Sequence, residues 1–117
     1  MKMTKQEVKD EHKQSVGDEY VKARLRAMGR NMLRKKMIGN VPTADVIVTN
    51  PTHFAVALKY KVGEHNAPIV VAKGRDFLAL KIRELGAIHK IEIVEDPPLA
   101  RTMFRLVEVD KEIPEIL

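Results

Sequence analysis

The sequence predicts an α/β fold: a small mixed sheet of about four strands flanked by helices, preceded by a long N-terminal helical linker. Three observations predict it. Residues 46 to 60, VIVTNPTHFAVALKY, read as two alternating apolar strands joined by an Asn-Pro turn, the pattern of a hairpin. Residues 69 to 94 read strand, helix, strand, which implies a right-handed parallel crossover within one sheet. Residues 4 to 40 carry helical signals but too little apolar surface for a core of their own.

At the N-terminus, Thr4 to Glu7 fits a capping box, with a hydroxyl and a glutamate each satisfying a free N–H. Only Val8 and Val16 are apolar in the turns that follow. Residues 4 to 19 therefore read as an exposed arm, weakened near Gly17-Asp18. Farther on, Val21, Leu25, Met28 and Met32 fall at i, i+4, i+7 and i+11, a stripe expected to dock on a core. Gly39, Asn40 and Pro42 end the helix. A strand at Asp45 to Thr49, the Asn-Pro turn and a strand at Phe54 to Tyr60 come next, then a loop, KVGEHNAP.

Ile69 to Ala72 forms the third strand, after which Gly74 allows a turn. Asp76 is placed to cap a helix carrying Leu78, Ile82 and Leu85, and Gly86 to help stop it. Ile91 to Val94 is the fourth strand. Asp96-Pro97 then opens a helix with Leu99, Met103 and Leu106 on one side. The closing EIPEIL reads as a helix cut short or the edge of an excised piece. The division is a basic helical linker over residues 1–40 and an α/β domain over 41–117.

Composition narrows the chemistry. With 117 residues and 44% apolar content the chain can fill a single core, and with no Trp and three Phe that core rests on aliphatic side chains. The absence of Cys removes disulfides, thiolate nucleophiles and Cys-ligated metals. The longest apolar run, Ala67 to Ala72, is far short of the roughly 18 residues of a membrane helix. Net charge is +5, but residues 22 to 36 alone hold seven Lys and Arg and no acid, leaving the remainder at −2. His12, His65 and His89 lack partners at metal-ligand spacing, and Lys73-Gly74 lacks the rest of a phosphate loop. A hydrolase using His53 would have neither a Gly-x-Ser-x-Gly elbow nor a metal set.

Asn50-Pro51 offers one specific reaction. Ordinary deamidation needs an N–H on the next residue, and proline has none. The reverse attack stays open: the Asn50 side-chain nitrogen can strike its own main-chain carbonyl, close a five-membered imide and expel the Pro51 nitrogen. Intramolecular closure can lower a barrier by roughly 7–11 kcal/mol, and a half-life of minutes requires a barrier of about 21 kcal/mol. Most Asn-Pro bonds survive, so the dipeptide alone leaves a plain turn and a self-cut both open. Histidine titrates near neutrality, which makes His53 the candidate proton carrier, unless it only hydrogen-bonds within the turn. Thr52 could orient the carbonyl.

The block ADVIVTNPTHFAVALKY, with NPTH at Asn50 to His53, resembles the cytoplasmic domain of the type III secretion export-gate switch proteins. APIVVAKG (Ala67 to Gly74), LALKIRELG (Leu78 to Gly86) and PPLAR (Pro97 to Arg101) follow in the family's order, and the likeness spans about residues 42 to 117. HFAVALKY and VVAKG look flagellar; the injectisome branch is the alternative. The resemblance implies autocleavage between Asn50 and Pro51, with Asn50 as nucleophile, Pro51 as leaving group, and Thr52 and His53 assisting. That is one self-inflicted cut rather than enzymatic turnover.

The resemblance also implies that the fragments stay together, and that the domain lies on the cytoplasmic side of the bacterial inner membrane. It would follow a membrane domain, with residues 4 to 40 as the linker and Met1 an artificial start. The partners it implies are flagellar export substrates, a secreted length-sensing (hook ruler) protein and other export-gate components. Export would switch from rod-and-hook-type to filament-type substrates; no cofactor is expected. Ala67 and Pro68, in the loop Glu64 to Pro68, are a candidate contact surface because they would leave apolar area beside the sheet. The basic run reads as a solvated helix face, or as attracted to anionic headgroups near a membrane. Nucleic-acid binding is a different reading, with no base-reading motif to accompany the charge.

Overall fold

The computed structural model describes the backbone of residues 5–51 and 53–117, and side chains from residue 15 onward except at 52. In chain order the elements are α1 (Lys5–Asn40), a 3-10 turn (Val41–Thr43), β1 (Val46–Asn50) and β2 (Phe54–Lys59). They continue with β3 (Ile69–Arg75), α2 (Phe77–Ile88), β4 (Glu92–Glu95) and α3 (Pro97–Leu106). The chain forms two compact units, Met1–Lys35 and Lys36–Leu117.

The first unit is unbroken helix from Lys5, without the expected weakening at Gly17-Asp18; Thr4 lies outside the described residues. Within this unit its apolar stripe covers no core. Val21, Leu25, Met28 and Met32 are 51–70% exposed. A core-facing helix needs an apolar face on the order of 100° wide. Here four residues stand in single file, and Lys22, Arg24 and Lys35 crowd their flanks. No described helix is long and apolar enough to cross a membrane.

The second unit is the predicted mixed sheet, in the order β3-β2-β1-β4. β1 pairs antiparallel with β2 and parallel with β4, and β2 pairs antiparallel with β3. The strands joined through α2, β3 and β4, therefore run in the same direction but sit at opposite edges. Both faces are covered. Ile47, Ala55, Ala57 and Val71 pack with Ala79 and Ile82 of α2 and with Met37 and Val41. Val48, Val56, Leu58 and Val70 pack with Ala100 and Met103 of α3 and with Val107. Ile47, Val48 and Thr49 are buried in succession, as in a strand covered on both sides. Opposite Ala57 and Leu58 the register slips from Ala72 to Val70. The bulge puts Val71 and Ala72 on the same face.

Several local expectations are replaced by tertiary solutions. Gly74 lies inside β3, not in a turn, and is required there because a Cβ would collide with Cβ and Cγ of Leu78. Asp76 precedes α2, yet its side chain makes no capping bond and its backbone is left-handed, with φ 53°. Gly86 does not stop α2; its missing side chain leaves room for Ile47 Cδ1. The stop is Lys90, at φ 57°, whose N–H donates to the Ala87 carbonyl at 3.2 Å while that of Ile91 donates to Gly86 at 2.8 Å. That pair of bonds is the Schellman closure, made with lysine rather than glycine at the left-handed position.

Asp96 caps α3 as expected, its Oδ1 accepting the Leu99 N–H at 3.3 Å with Pro97 in the first turn. The helix buries Ala100 and Met103, and Leu106 is exposed, because the packed face runs on to Val107. Residues 107–117 are not helical; Pro114 cannot sit inside a helix. They run beside the start of β3, where Val70 N–H donates to Lys111 O at 3.0 Å and Ile113 N–H donates to Pro68 O at 2.9 Å. Ile113 and Leu117 pack on the α3-side core.

Candidate functional site

Asn50 ends β1, Phe54 begins β2, and the two are cross-strand partners. Between them the chain reverses in a four-residue turn closed by the His53 N–H, which donates to the Asn50 carbonyl oxygen at 2.9 Å. That oxygen belongs to the Asn50–Pro51 peptide. Asn50 and Pro51 are half-buried and His53 is exposed, its ring tilted beside that of Phe54 at 6.3 Å between centroids. Thr52 lies outside the described residues.

The turn is fastened from several sides. The His53 carbonyl accepts the Asp76 N–H at 2.9 Å, so the left-handed residue before α2 aims its amide at the hairpin. From the middle of α2, Arg83 Nη1 donates to the Pro51 carbonyl oxygen. Phe54 packs on Phe104 of α3, with ring centroids 4.7 Å apart. On the other side of β1, the Thr49 carbonyl accepts the Asp96 N–H at 2.9 Å. Beside the turn lies an open groove of about 360 Å³, lined by Pro51, Asp76, Phe77, Ala79, Leu80 and Arg83.

This arrangement bears on the one reaction that the Asn-Pro bond leaves open. Attack on the Asn50 carbonyl carbon moves negative charge onto its oxygen, and the His53 N–H already points there. A donor so placed stabilises a tetrahedral oxyanion; in enclosed enzyme sites one such donor is worth about 3 kcal/mol. The half-exposed turn lowers that figure, since water competes for the same oxygen. The part of His53 that touches the Asn50–Pro51 peptide is thus its backbone.

Ala67 and Pro68 are half-buried at the far end of the sheet, since Ile69 pairs with Lys59 while Arg75 pairs with Phe54. Their loop is fixed to the C-terminal segment through Pro68 O and through the Asn66 N–H, which donates to Glu112 Oε1 at 3.2 Å. The two predicted sites are therefore not brought together. Lys73 has a structural employment: its Nζ donates to the carbonyls of Phe104 and Val107, each at 3.0 Å, closing the end of α3. His65 Nδ1 accepts the Lys61 N–H within its loop. Among the described residues no group of three His, Asp or Glu is placed to hold a metal. Sequence reasoning missed Arg83 and the backbone of Asp76. No local signal marks them, because the contacts arise only when α2 packs over the hairpin.

The profile of the FlhB HrpN YscU SpaS family matches residues 1–117. The chain is 54% identical over 117 residues to the flagellar biosynthetic protein FlhB of Yersinia enterocolitica, covering all of this chain and 30% of that protein. It is 49% identical over 115 residues to FlhB of Bacillus subtilis, covering 98% of this chain and 32% of the relative. It thus spans about a third of the length of these relatives. The crystal structure of the cytoplasmic domain of FlhB from Shewanella putrefaciens superposes with a TM-score of 0.67 at 49% identity, over 70% of this chain and 63% of that one.

Proposed function

Because the chain belongs to the FlhB HrpN YscU SpaS family, we propose that it is the cytoplasmic part of a flagellar type III export-gate component that cuts its own backbone between Asn50 and Pro51. On this reading the cut takes part in switching export from rod-and-hook-type to filament-type proteins. Other export components, export substrates and the length-sensing protein are its partners, and a membrane domain of the whole protein places it at the cytoplasmic face.

One observation carries the proposal: the Asn50 carbonyl oxygen is held at 2.9 Å by the His53 N–H in a turn where the neighbouring residue is proline. The nucleophile and the electrophile belong to the same residue, so closure needs no encounter, only a rotamer that lays Nδ2 over the carbonyl carbon. The Nδ2–C bond forms, the C–N bond to Pro51 breaks, and the proton lost by Nδ2 is balanced by one gained at the Pro51 nitrogen. The imide left on Asn50 then takes up water.

Intact mass under denaturing conditions tests this. The expected result is two fragments, one ending at Asn50, partly one water lighter, and one beginning at Pro51, with Asn50→Ala giving a single chain. A wild-type chain that stays whole after long incubation would reduce the Asn-Pro turn to a turn, and continued cutting in Asn50→Ala would exclude cyclisation.

A further inference from the structure

We infer that Arg83 is a positioning residue for the cut, an inference that rests on the self-scission reading above. Its guanidinium reaches from the middle of α2 to the Pro51 carbonyl oxygen, the first carbonyl after the scissile bond. Proline's ring already fixes one of the two soft backbone torsions of Pro51. The direction of its carbonyl reports the other. Pinning that oxygen therefore immobilises the residue that carries the leaving nitrogen.

Upstream, the Asn50 carbonyl is held by the His53 N–H and by the β1 ladders. Downstream, the Asp76 N–H holds the His53 carbonyl. Arg83 supplies the hold in between, so the scissile peptide is fixed on both sides while the Asn50 side chain turns. The guanidinium only donates a hydrogen bond here. Its action is geometric: it raises the fraction of time the carbonyl carbon and Nδ2 spend within reach. Without it the Pro51 carbonyl is free to turn toward the open groove beside Phe77 and Leu80, and the leaving side of the bond loses its hold.

The test follows newly made protein in a pulse-labelled cell-free synthesis, quenched into denaturant at intervals, for wild type, Arg83→Gln and Arg83→Lys. The expected result is cutting slowed about tenfold or more in Arg83→Gln, within the ~10²-fold that ångström-scale misplacement costs. Arg83→Lys, which still offers a cationic donor, should recover part of the rate. Each substitution is also placed in the uncleavable Asn50→Ala chain, whose melting temperature it should leave nearly unchanged. Wild-type cutting in Arg83→Gln would overturn the inference while leaving self-scission in place. Equal slowing in both variants with a lowered melting temperature would also overturn it, since that is a merely structural effect. An uncut wild-type chain would remove the self-scission reading and this inference together.

Discussion

The Asn50–Pro51 peptide lies between two hydrogen bonds of different origin, one from the backbone of His53 and one from the side chain of Arg83. The distinction makes a clean experiment possible. His53→Ala deletes the imidazole but keeps the N–H that meets the Asn50 oxygen. Any change in rate then reports the ring alone. We expect slower cleavage and an altered pH profile, read from the rate of fragment appearance across a pH series. An unchanged rate at every pH would take the imidazole out of the mechanism and leave its backbone as the sole contribution of that residue. The turn that carries Asn50, Pro51 and His53 was legible in the sequence because it is local: neighbours in the chain are neighbours in the turn. Arg83 was not, since on a helix of mixed charge nothing separates it from Lys81 or Glu84.

At the scale of elements, what could be read was what the chain specifies locally. The two strands joined at the Asn-Pro turn and the Asp96-Pro97 start of α3 appear as expected, although both strands are buried in succession rather than in alternation. What could not be read was set by packing. Gly74 looks like a turn residue until α2 is laid against β3, and Gly86 looks like a helix stop until Ile47 is seen beside it. Gly74→Ala would ordinarily favour a strand. Here it should destabilise the domain by about 1–3 kcal/mol, because Leu78 and with it the first turn of α2 must move. Chemical denaturation of the Asn50→Ala background checks this.

Lys73 makes the second case. Its ammonium closes the Phe104 and Val107 carbonyls and lies 5.3 Å from the centre of the Phe104 ring. Lys73→Met should cost about 1–2 kcal/mol, below the full value of a charged hydrogen bond because the site is half-exposed. It should appear as a lower urea midpoint at unchanged slope. A midpoint equal to the parent would mean that water caps α3 equally well.

For the molecule as a whole, the strand order decides what a cut can do. β1 lies between β2 and β4, so a fragment ending at Asn50 would insert its strand between two strands of the other fragment. It also contributes Met37, Val41, Ala44 and Ile47 to the α2-side core. Cutting the turn leaves both ladders intact. The fragments should therefore elute as one species under native conditions and part only when the sheet unfolds, with release and loss of circular dichroism coinciding in a urea series. Release well before unfolding would show that β1 is held more weakly than its two ladders imply. The four-strand mixed sheet was legible from periodicity, whereas the central place of β1 was not. Hairpin signals fix the β1–β2 pairing only, and the parallel contact with β4 spans more than forty residues of chain.

That central strand has a consequence for the order of events in time. In the uncut chain β1 finds its slot by an intramolecular search whose speed is independent of concentration. Once the turn is severed, the same slot can be refilled only by collision of two molecules, and refolding becomes second order. A cut domain that is denatured and diluted should regain its structure ever more slowly as the solution thins, whereas its Asn50→Ala counterpart should return at a constant rate. A cut form would thus be assembled reliably only once, while its two halves were still a single chain.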